Sequence, residues 1–276
     1  MLINFSKMHG LGNDFVVIDA INQTVDLSAA QICFIADRHF GIGCDQLLLV
    51  EPPVSANADF KYRIFNADGS EVAQCGNGAR CFARFVLDKQ LTDKREIVVD
   101  TDAGQLLLIA RDDGMITVNM GIPKHEPAQI PLLMTAEAKQ YTVDLNGEMI
   151  EFAALSIGNP HAVIRVADIA QAPVNRIGPL LERHPLFPER ANIGFMQIVH
   201  SDFIRLRVYE RGAAETLACG SGACAAVIAG IEQGWLEQTV KVTLPGGDLT
   251  IHWPGRGQAV LMSGPASLVY EGQISL

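Results

Sequence analysis

Short apolar runs separated by turn residues recur along this chain, and they predict more strands than helices. One antiparallel pair is predicted on either side of a turn at Asp112, Asp113 and Gly114. The apolar runs that we assign to strands are residues 16–18, 47–50, 97–99, 105–110 (with its apolar centre at 106–109) and 116–120.

Two stretches have the apolar spacing of helices, residues 78–89 and residues 222–232. In the first, apolar residues recur at i, i+3, i+4 and i+7 between Ala79 and Val86, which is typical of an amphipathic helix. The second is apolar nearly all round, and such a helix is buried on all sides.

The chain also contains an internal repeat. Residues 63–79 and 207–223 align without a gap at an offset of 144, the difference between Cys219 and Cys75. Gly-Asn pairs at 12–13 and at 158–159 keep the same order further upstream. A two-copy repeat of this length predicts two similar domains. We therefore expect an α+β fold with two pseudo-symmetric domains, each an antiparallel or mixed sheet wrapped around a central helix.

Composition and charge narrow the classes of function. The 276 residues carry a formal net charge of −10 and no cluster of Lys and Arg, which argues against a nucleic-acid partner. The longest apolar stretch, 223–230, is too short to span a bilayer, so no membrane partner is expected. The first residues lack the basic segment and apolar run of a signal peptide, so we expect a cytoplasmic location.

The sequence has six cysteines and no Cys-x-x-Cys pair, so neither a zinc ribbon nor a thioredoxin motif is indicated. In a cytoplasm the thiols would be reduced. We interpret Cys33, Cys44, Cys81 and Cys224 as small buried hydrophobic residues.

Each half has a Cys-Gly-x-Gly motif where a loop enters a predicted helix, at Cys75 and at Cys219. The first N–H groups of a helix are unpaired and carry the positive end of its dipole, so we expect the pKa of a thiol there to fall. The glycines would let a substrate carboxylate approach the same N–H groups.

Two such thiols suit the inversion of a stereocentre. A substrate in a cleft between the two halves would meet one cysteine on each side. One thiolate would remove a proton, and the opposite thiol would deliver a proton to the other face.

On its motifs the chain resembles the diaminopimelate epimerase family, and the resemblance covers essentially the whole chain. The motifs are MHGLGNDF (8–15), FNADGS (65–70), QCGNGARC (74–81), GNPH (158–161), ANI (191–193), YERG (209–212) and ACGSG (218–222).

The resemblance implies an enzyme that interconverts LL- and meso-diaminopimelate by two-base catalysis, with no pyridoxal phosphate, other cofactor or metal. It implies a homodimer with Tyr270 at the interface, and a role in lysine and peptidoglycan precursor synthesis. A Pro-rich stretch at 123–131 is the expected crossover between the domains. Because the resemblance implies that the C-terminus returns to the first domain, we expect domains at 1–119 plus 265–276, with Cys75, and at 120–264, with Cys219.

The resemblance also implies roles for individual residues. Cys75 and Cys219 become the base and acid pair, and His161 and Glu210 tune the thiols. Amide side chains offer donors and acceptors to an amino acid, and the Arg211 guanidinium suits a distal carboxylate. The implied substrate-binding residues are Asn13, Gln46, Asn66, Gly76, Asn77, Asn159, Asn192, Glu210, Arg211, Gly220 and Ser221, of which Gly76, Asn77, Gly220 and Ser221 hold the reacting carboxylate.

The repeat departs from symmetry at one important position, where Glu210 aligns with Asn66. An acid and base pair needs such a difference, because one cysteine must be charged while the other is neutral.

Arg63 and Arg207 also occupy matched positions. For these two we expect a structural role as partners of Glu71 and Glu215.

Three other interpretations stay open on the residues alone. A related two-cysteine racemase of the proline or hydroxyproline type is the nearest, although Arg211 and the amides favour a longer substrate with a second charged end. A thiol redox protein would join Cys75 and Cys219 in a disulfide. A non-catalytic amino-acid-binding protein would not need the thiols.

Overall fold

The computed structural model describes residues 1–73 and 75–276, so Gln74 of the first cysteine motif lies outside the described residues. Short 3-10 turns occur at Pro127–Gln129 and Ile169–Gln171. The α-helices in the described residues are α1 (Ala29–Ala36), α2 (Gly76–Asp88), α3 (Val174–Glu182) and α4 (Gly220–Glu232).

The strands lie before, between and after these helices, in groups of two to six consecutive strands. They are β1 (Leu2–Gly10), β2 (Asn13–Asp19), β3 (Gln46–Glu51), β4 (Phe60–Asn66), β5 (Glu71–Val72), β6 (Glu96–Thr101), β7 (Gly104–Ala110), β8 (Ile116–Asn119), β9 (Tyr141–Leu145), β10 (Glu148–Ser156), β11 (Pro160–Arg165), β12 (Asn192–His200), β13 (Phe203–Glu210), β14 (Ala214–Thr216), β15 (Thr239–Leu244), β16 (Gly247–His252), β17 (Leu261–Gly264) and β18 (Ser267–Ser275).

The chain forms two compact units. Unit 1 comprises Met1–Asn119 and Ser263–Leu276, and unit 2 comprises Met120–Met262. The Pro-rich stretch 123–131 lies in the connection between β8 and β9. Among the described residues, no helix combines the length and the apolar character that crossing a bilayer requires.

Unit 1 is a mixed sheet with α2 packed against it. β1 pairs antiparallel with β2 and with β18, and the second pairing places Lys7 opposite Tyr270. β2 and β3 are parallel, β3 and β4 antiparallel, β4 and β6 parallel, and β6, β7 and β8 antiparallel. The apolar face of α2, with Phe82 and Val86 fully buried, contacts β1, β2, β7 and β8.

Unit 2 repeats this order of pairing around α4. β11 and β12 are parallel, β12 and β13 antiparallel, β13 and β15 parallel, and β15 and β16 antiparallel. α4 is buried on all sides, as its composition predicts, and contacts β10, β11, β12, β13 and β16. The expected α+β fold, with two similar sheets that each hold a central helix, is confirmed.

The predicted strands agree with β3, β6, β7 and β8 to within one or two residues at each end, whereas β2 begins three residues before the predicted run 16–18. Both central helices begin two residues earlier than predicted, at Gly76 and Gly220. Glycine has a low intrinsic helix propensity, but here each helix starts where the carbonyl of the preceding cysteine accepts the first helical bond.

Helices α1 and α3 are not predicted by the pattern of apolar residues. α1 is only eight residues long, and its N-terminal signal is a capping box between Ser28 and Gln31. α3 contains Gly178 and Pro179, which are poor helix formers, and packing of Ile177 and Leu181 in the core of unit 2 overrides that preference.

Candidate active site

In unit 1 the thiol lies at the start of α2, beside two amide side chains. Cys75 is half-buried, and its Sγ donates over 3.8 Å to Oδ1 of Asn13. Nδ2 of Asn77 donates to the same oxygen at 3.2 Å. The Cys75 carbonyl accepts from the backbone N of Ala79 at 2.8 Å and from the Tyr62 hydroxyl at 3.2 Å. The side chains of Asn13 and Asn77 thus place two neutral amide groups beside this thiol.

The Asn13 side chain is held by a charged network that sequence reasoning missed. Its Nδ2 donates to Asp45 at 3.0 Å, and Asp45 pairs with Arg38 at 2.8 Å. Burial opposes the charge of Asp14, but hydrogen bonds from Arg38 and Lys7 outweigh it and hold the pKa of that carboxyl below its usual range. Asp14 belongs to a motif, whereas nothing in the sequence links Arg38 or Asp45 to the thiol.

Three implied binding residues of unit 1 lie at one edge of its sheet. Asn13 and Gln46 begin the parallel strands β2 and β3, and Asn66 ends the antiparallel strand β4. Gln46 and Asn66 are register partners, and Nε2 of Gln46 donates to Oδ1 of Asn66 at 2.9 Å. Nδ2 of Asn66 donates to the Ser70 hydroxyl at 3.1 Å. The strand order brings these amides together from distant parts of the sequence.

In unit 2 a chain of polar contacts leads to the second thiol. Cys219 is 3% exposed at the start of α4, and its Sγ lies 3.7 Å from the Ser221 hydroxyl. Nδ2 of Asn159 donates to that hydroxyl at 3.4 Å, and Nε2 of His161 donates to Oδ1 of Asn159 at 2.9 Å. Burial, aided by the charge of Arg211, lowers the pKa of His161 to about 3. The imidazole is therefore neutral at pH 7.

The expectation of a lowered thiol pKa is wrong for Cys219. Burial raises its pKa well above the ordinary value, and the charge of Glu210 and a hydrogen bond with that carboxylate raise it further. The N–H of Gly222 and the Ser221 hydroxyl act in the opposite sense but do not outweigh these effects. Two effects destabilise the Cys219 thiolate, namely its removal from water and the nearby carboxylate. Together they exceed the stabilisation of the thiolate by the start of the helix.

Glu210 ends β13, and its carboxylate accepts a hydrogen bond from the Thr216 hydroxyl on β14. Nδ2 of the buried Asn192 donates to the Pro160 carbonyl at 3.2 Å, and its Oδ1 accepts from the backbone N of Arg211 at 2.9 Å. In this structure the Asn192 amide thus fixes the backbone next to Glu210. The Arg211 guanidinium is exposed and donates to the Glu189 carbonyl at 3.1 Å.

Glu182 is a second residue that sequence reasoning missed. Its carboxylate is fully buried and accepts from the backbone N of Gly212 at 3.0 Å and from Nε of Arg183 at 3.0 Å. It therefore anchors the turn that follows Glu210 and Arg211. Glu182 lies outside every motif and outside the repeated segments, so no pattern could identify it.

The second glycine of each Cys-Gly-x-Gly motif is closely packed against neighbouring side chains. A Cβ at Gly78 would lie 2.5 Å from the Tyr62 hydroxyl, and one at Gly222 would lie 3.2 Å from Sγ of Cys219 and 3.0 Å from Cγ2 of Val208. A side chain at either position would displace the groups beside the thiol.

The structure thus places the implied residues in two groups, one in each unit, and Tyr270 lies on β18 of unit 1. The group in unit 1 is Cys75, Asn13, Gln46, Asn66, Gly76 and Asn77, and the group in unit 2 is Cys219, Asn159, His161, Asn192, Glu210, Arg211, Gly220 and Ser221.

The fold is shared with solved structures of racemases and epimerases. A hydroxyproline epimerase from Agrobacterium vitis with bound trans-4-hydroxy-L-proline matches with a TM-score of 0.72 and 17% identity, over 100% of this chain and 93% of that one. A probable proline racemase from Agrobacterium radiobacter matches with a TM-score of 0.73 and 16% identity, over 99% and 93%. At these identities the similarity defines the class of fold.

Sequence comparison defines the family within this class. The family model for diaminopimelate epimerase matches residues 5–126 and 153–269. Curated relatives named diaminopimelate epimerase are 56% identical in Ectopseudomonas mendocina (strain ymp) and 57% identical in Pseudomonas fluorescens, over 100% of this chain and of each relative. The chain belongs to the diaminopimelate epimerase family, and the resemblance inferred from its motifs is confirmed.

Proposed function

We propose that this chain is an isomerase that interconverts LL- and meso-diaminopimelate by proton transfer at one α-carbon. The observation that carries the proposal is the pair of thiols at the starts of α2 and α4, each beside amide or hydroxyl side chains, in a chain of this family. Relatives that share more than half of its residues over their whole length carry the name of this activity.

In the proposed reaction Cys75 and Cys219 form the base and acid pair. One thiolate takes the α-proton, and the other thiol gives a proton to the opposite face of the same carbon, so one proton is exchanged and no electrons are transferred. Burial and the charge of Glu210 favour the protonated form of Cys219. We therefore assign Cys219 as the proton donor of the resting enzyme and Cys75 as the base.

Negative charge moves from the α-carbon toward the adjacent carboxylate as the proton leaves. The backbone N–H groups at the starts of α2 and α4, at Gly76, Asn77, Gly220 and Ser221, are suited to hold that carboxylate. Donors fixed in advance stabilise the charge without reorganisation, so the proposed reaction needs neither pyridoxal phosphate nor a metal.

The remaining polar residues would bind the rest of the substrate. The amides of Asn13, Gln46, Asn66, Asn159 and Asn192 can accept from ammonium groups and donate to carboxylates. The exposed guanidinium of Arg211 is suited to the distal carboxylate, and we place the Glu210 carboxylate beside the substrate as well as beside Cys219. Within this proposal His161 acts on Cys219 through Asn159 and Ser221, as a neutral donor that orients the amide.

The proposal extends to organisation and cellular role. We propose that units 1 and 2 correspond to two epimerase domains that carry one catalytic cysteine each. We further propose that the enzyme acts in the cytoplasm, in the synthesis of lysine and of peptidoglycan precursors, as the family suggests.

We propose that the enzyme is a homodimer with Tyr270 at its interface. β18 carries three neighbouring apolar side chains with large exposed fractions, 46% for Leu268, 55% for Val269 and 45% for Tyr270. Exposed apolar patches often mark protein interfaces. Sedimentation of wild-type protein as a dimer, and of Tyr270→Ala as a monomer, would support this assignment.

The decisive experiment follows the α-proton. LL-diaminopimelate is incubated in D2O with the purified, reduced protein and observed by proton NMR. We expect loss of the α-proton signal at one centre together with formation of the meso isomer. Exchange with proline instead would assign the chain to the proline type of racemase, and binding without exchange of either substrate would support a non-catalytic binding protein.

A further inference from the structure

Thr216 lies beside the Glu210 carboxylate of unit 2. In the antiparallel pair of β13 and β14, Glu210 is opposite Ala214, and Thr216 is two residues further along β14 on the same face of the sheet. It is thus the diagonal neighbour of Glu210. Its hydroxyl donates a hydrogen bond to Oε1 of Glu210.

The pair of β4 and β5 in unit 1 has the same register as the pair of β13 and β14 in unit 2, but it carries different side chains. Val72 is opposite Ile64 in that unit, just as Thr216 is opposite Val208 in unit 2. At the offset of 144, Thr216 therefore corresponds to Val72, and Glu210 corresponds to Asn66. At this matched position the carboxylate occurs with a hydroxyl donor, whereas the amide occurs with an aliphatic side chain and instead donates to the Ser70 hydroxyl at 3.1 Å. The carboxylate and the hydroxyl thus occur together at positions where unit 1 has neither, which indicates that the role of the hydroxyl is to bind the carboxylate.

We propose that Thr216 is a positioning residue that fixes the Glu210 carboxylate against the Cys219 thiol. The inference deepens the proposed function, since it rests on Cys219 as an acid and base. A hydroxyl has one proton to donate, and bonds to an ionised acceptor are stronger and more directional than those to a neutral one. Held by Thr216, the carboxylate keeps one orientation while the proton moves to and from Cys219.

The test compares Thr216→Val, which removes the hydroxyl with little change of volume, with Thr216→Ser, which keeps it. The matched control is Thr243→Val, because the Thr243 hydroxyl donates to Asp248 at 2.6 Å across β15 and β16, in the same kind of bond at a different place. Two kinds of measurement are made: steady-state kinetics, which give kcat and KM in both directions, and the pH titration of Cys219 by NMR of protein with carbon-13 at its cysteine Cβ.

We expect Thr216→Val to lower kcat about tenfold, the scale of a lost hydrogen bond to a charged group, with KM within about twofold. The titration of Cys219 should move to lower pH, because the released carboxylate no longer stays against the thiol. Thr216→Ser should restore both quantities, and Thr243→Val should leave both unchanged.

Wild-type kcat and an unchanged Cys219 titration in Thr216→Val would overturn the proposal, and so would an equal loss in Thr243→Val. The proposal would also be overturned if Thr216→Val lowered kcat by the same factor in the Glu210→Gln background as in wild type, because Thr216 would then act without the carboxylate. Valine occurs at the matched position of unit 1, Val72, so we expect Thr216→Val to fold. If it does not fold, the same measurements are made on Thr216→Ala. The titration needs no substrate, so it tests Thr216 even if the wild-type protein does not epimerise diaminopimelate.

Discussion

The starts of α2 and α4 have the same backbone and different electrostatics. Cys75 is half-buried beside the neutral amides of Asn13 and Asn77, whereas Cys219 is buried beside the carboxylate of Glu210. In both units a cysteine precedes the helix and a glycine two residues further on leaves room beside it. The comparison shows that the repeat preserves the backbone that presents a thiol, while the side chains around it differ, and at Cys219 burial and Glu210 raise the thiol pKa.

The largest effect is expected from loss of either thiol. Cys75→Ser and Cys219→Ser should each lower the rate of epimerisation about 10³-fold or more, because a hydroxyl is a far weaker acid than a thiol and cannot serve as the base. The rate is measured by NMR or by coupled assay under reducing conditions. Each variant should still eliminate halide from a β-halogenated analogue, since elimination requires a single base. If both variants epimerise normally, the two-base mechanism is wrong.

The second prediction concerns a substitution that gives unit 2 an amide at position 210, where unit 1 has Asn66. Glu210→Gln should lower kcat about 100-fold, within the range of general acid and base effects, and should lower the pKa of Cys219 because its charged neighbour is gone. The pH dependence of kcat in both directions measures the change. Glu151→Gln, at an exposed position of β10, is the control and should behave as wild type. An unchanged pH profile in Glu210→Gln would show that the asymmetry has another source.

The two units also show which features of the fold and of the candidate site could be predicted from the sequence. The repeat identified both thiols, both central helices and the change from Asn66 to Glu210, because a duplicated frame makes matched positions visible. The residues that support them come from elsewhere: Asp45 holds Asn13, and Glu182 holds the turn after Glu210. Each acts through strand order or burial, which no local pattern records. The raised pKa of Cys219 was mispredicted for the same reason, since burial depends on the whole core of unit 2.

A third prediction uses another matched pair, Phe15 in unit 1 and His161 in unit 2, at the offset of 146 that relates Asn13 to Asn159. Both side chains are buried. The pKa of His161 is about 3 in the folded protein, below the ordinary histidine value of 6.5, so between these pH values the unfolded chain binds a proton that the folded chain does not. Stability from this group is complete above pH 6.5 and is lost as the pH falls toward 3, by about 2 kcal/mol at pH 5.

Replacement by the residue of the other unit should remove this acid sensitivity. His161→Phe should lose less free energy of unfolding than wild type between pH 7 and pH 5, as measured by urea denaturation at each pH. His200→Gln, at an exposed histidine, should follow the wild-type curve. Parallel curves for wild type and His161→Phe would contradict the prediction, because they would mean that His161 has the same pKa in the folded and the unfolded protein.

The smallest effect concerns a feature that the two units share. Arg63 pairs with Glu71, and Arg207 with Glu215, each with Nε to Oε1 at 2.6 Å and Nη2 to Oε2 at 2.9 Å, as the repeat predicted. These pairs are partly exposed, so Glu71→Gln and Glu215→Gln should each cost less than about 1 kcal/mol of unfolding free energy.

The two substitutions should differ slightly in their cost in unfolding free energy, because the two arginines keep different partners. Without Glu71, Arg63 still pairs with Glu51 at 3.1 Å, whereas without Glu215, Arg207 still donates to the neutral carbonyl of Ile169 at 3.2 Å. An ionised acceptor compensates a guanidinium better than a carbonyl does. Glu215→Gln should therefore be the more destabilising by a few tenths of a kcal/mol in parallel urea titrations, and Glu51→Gln combined with Glu71→Gln should remove the difference. A larger cost for Glu71→Gln alone would show that the second carboxylate does not stabilise Arg63.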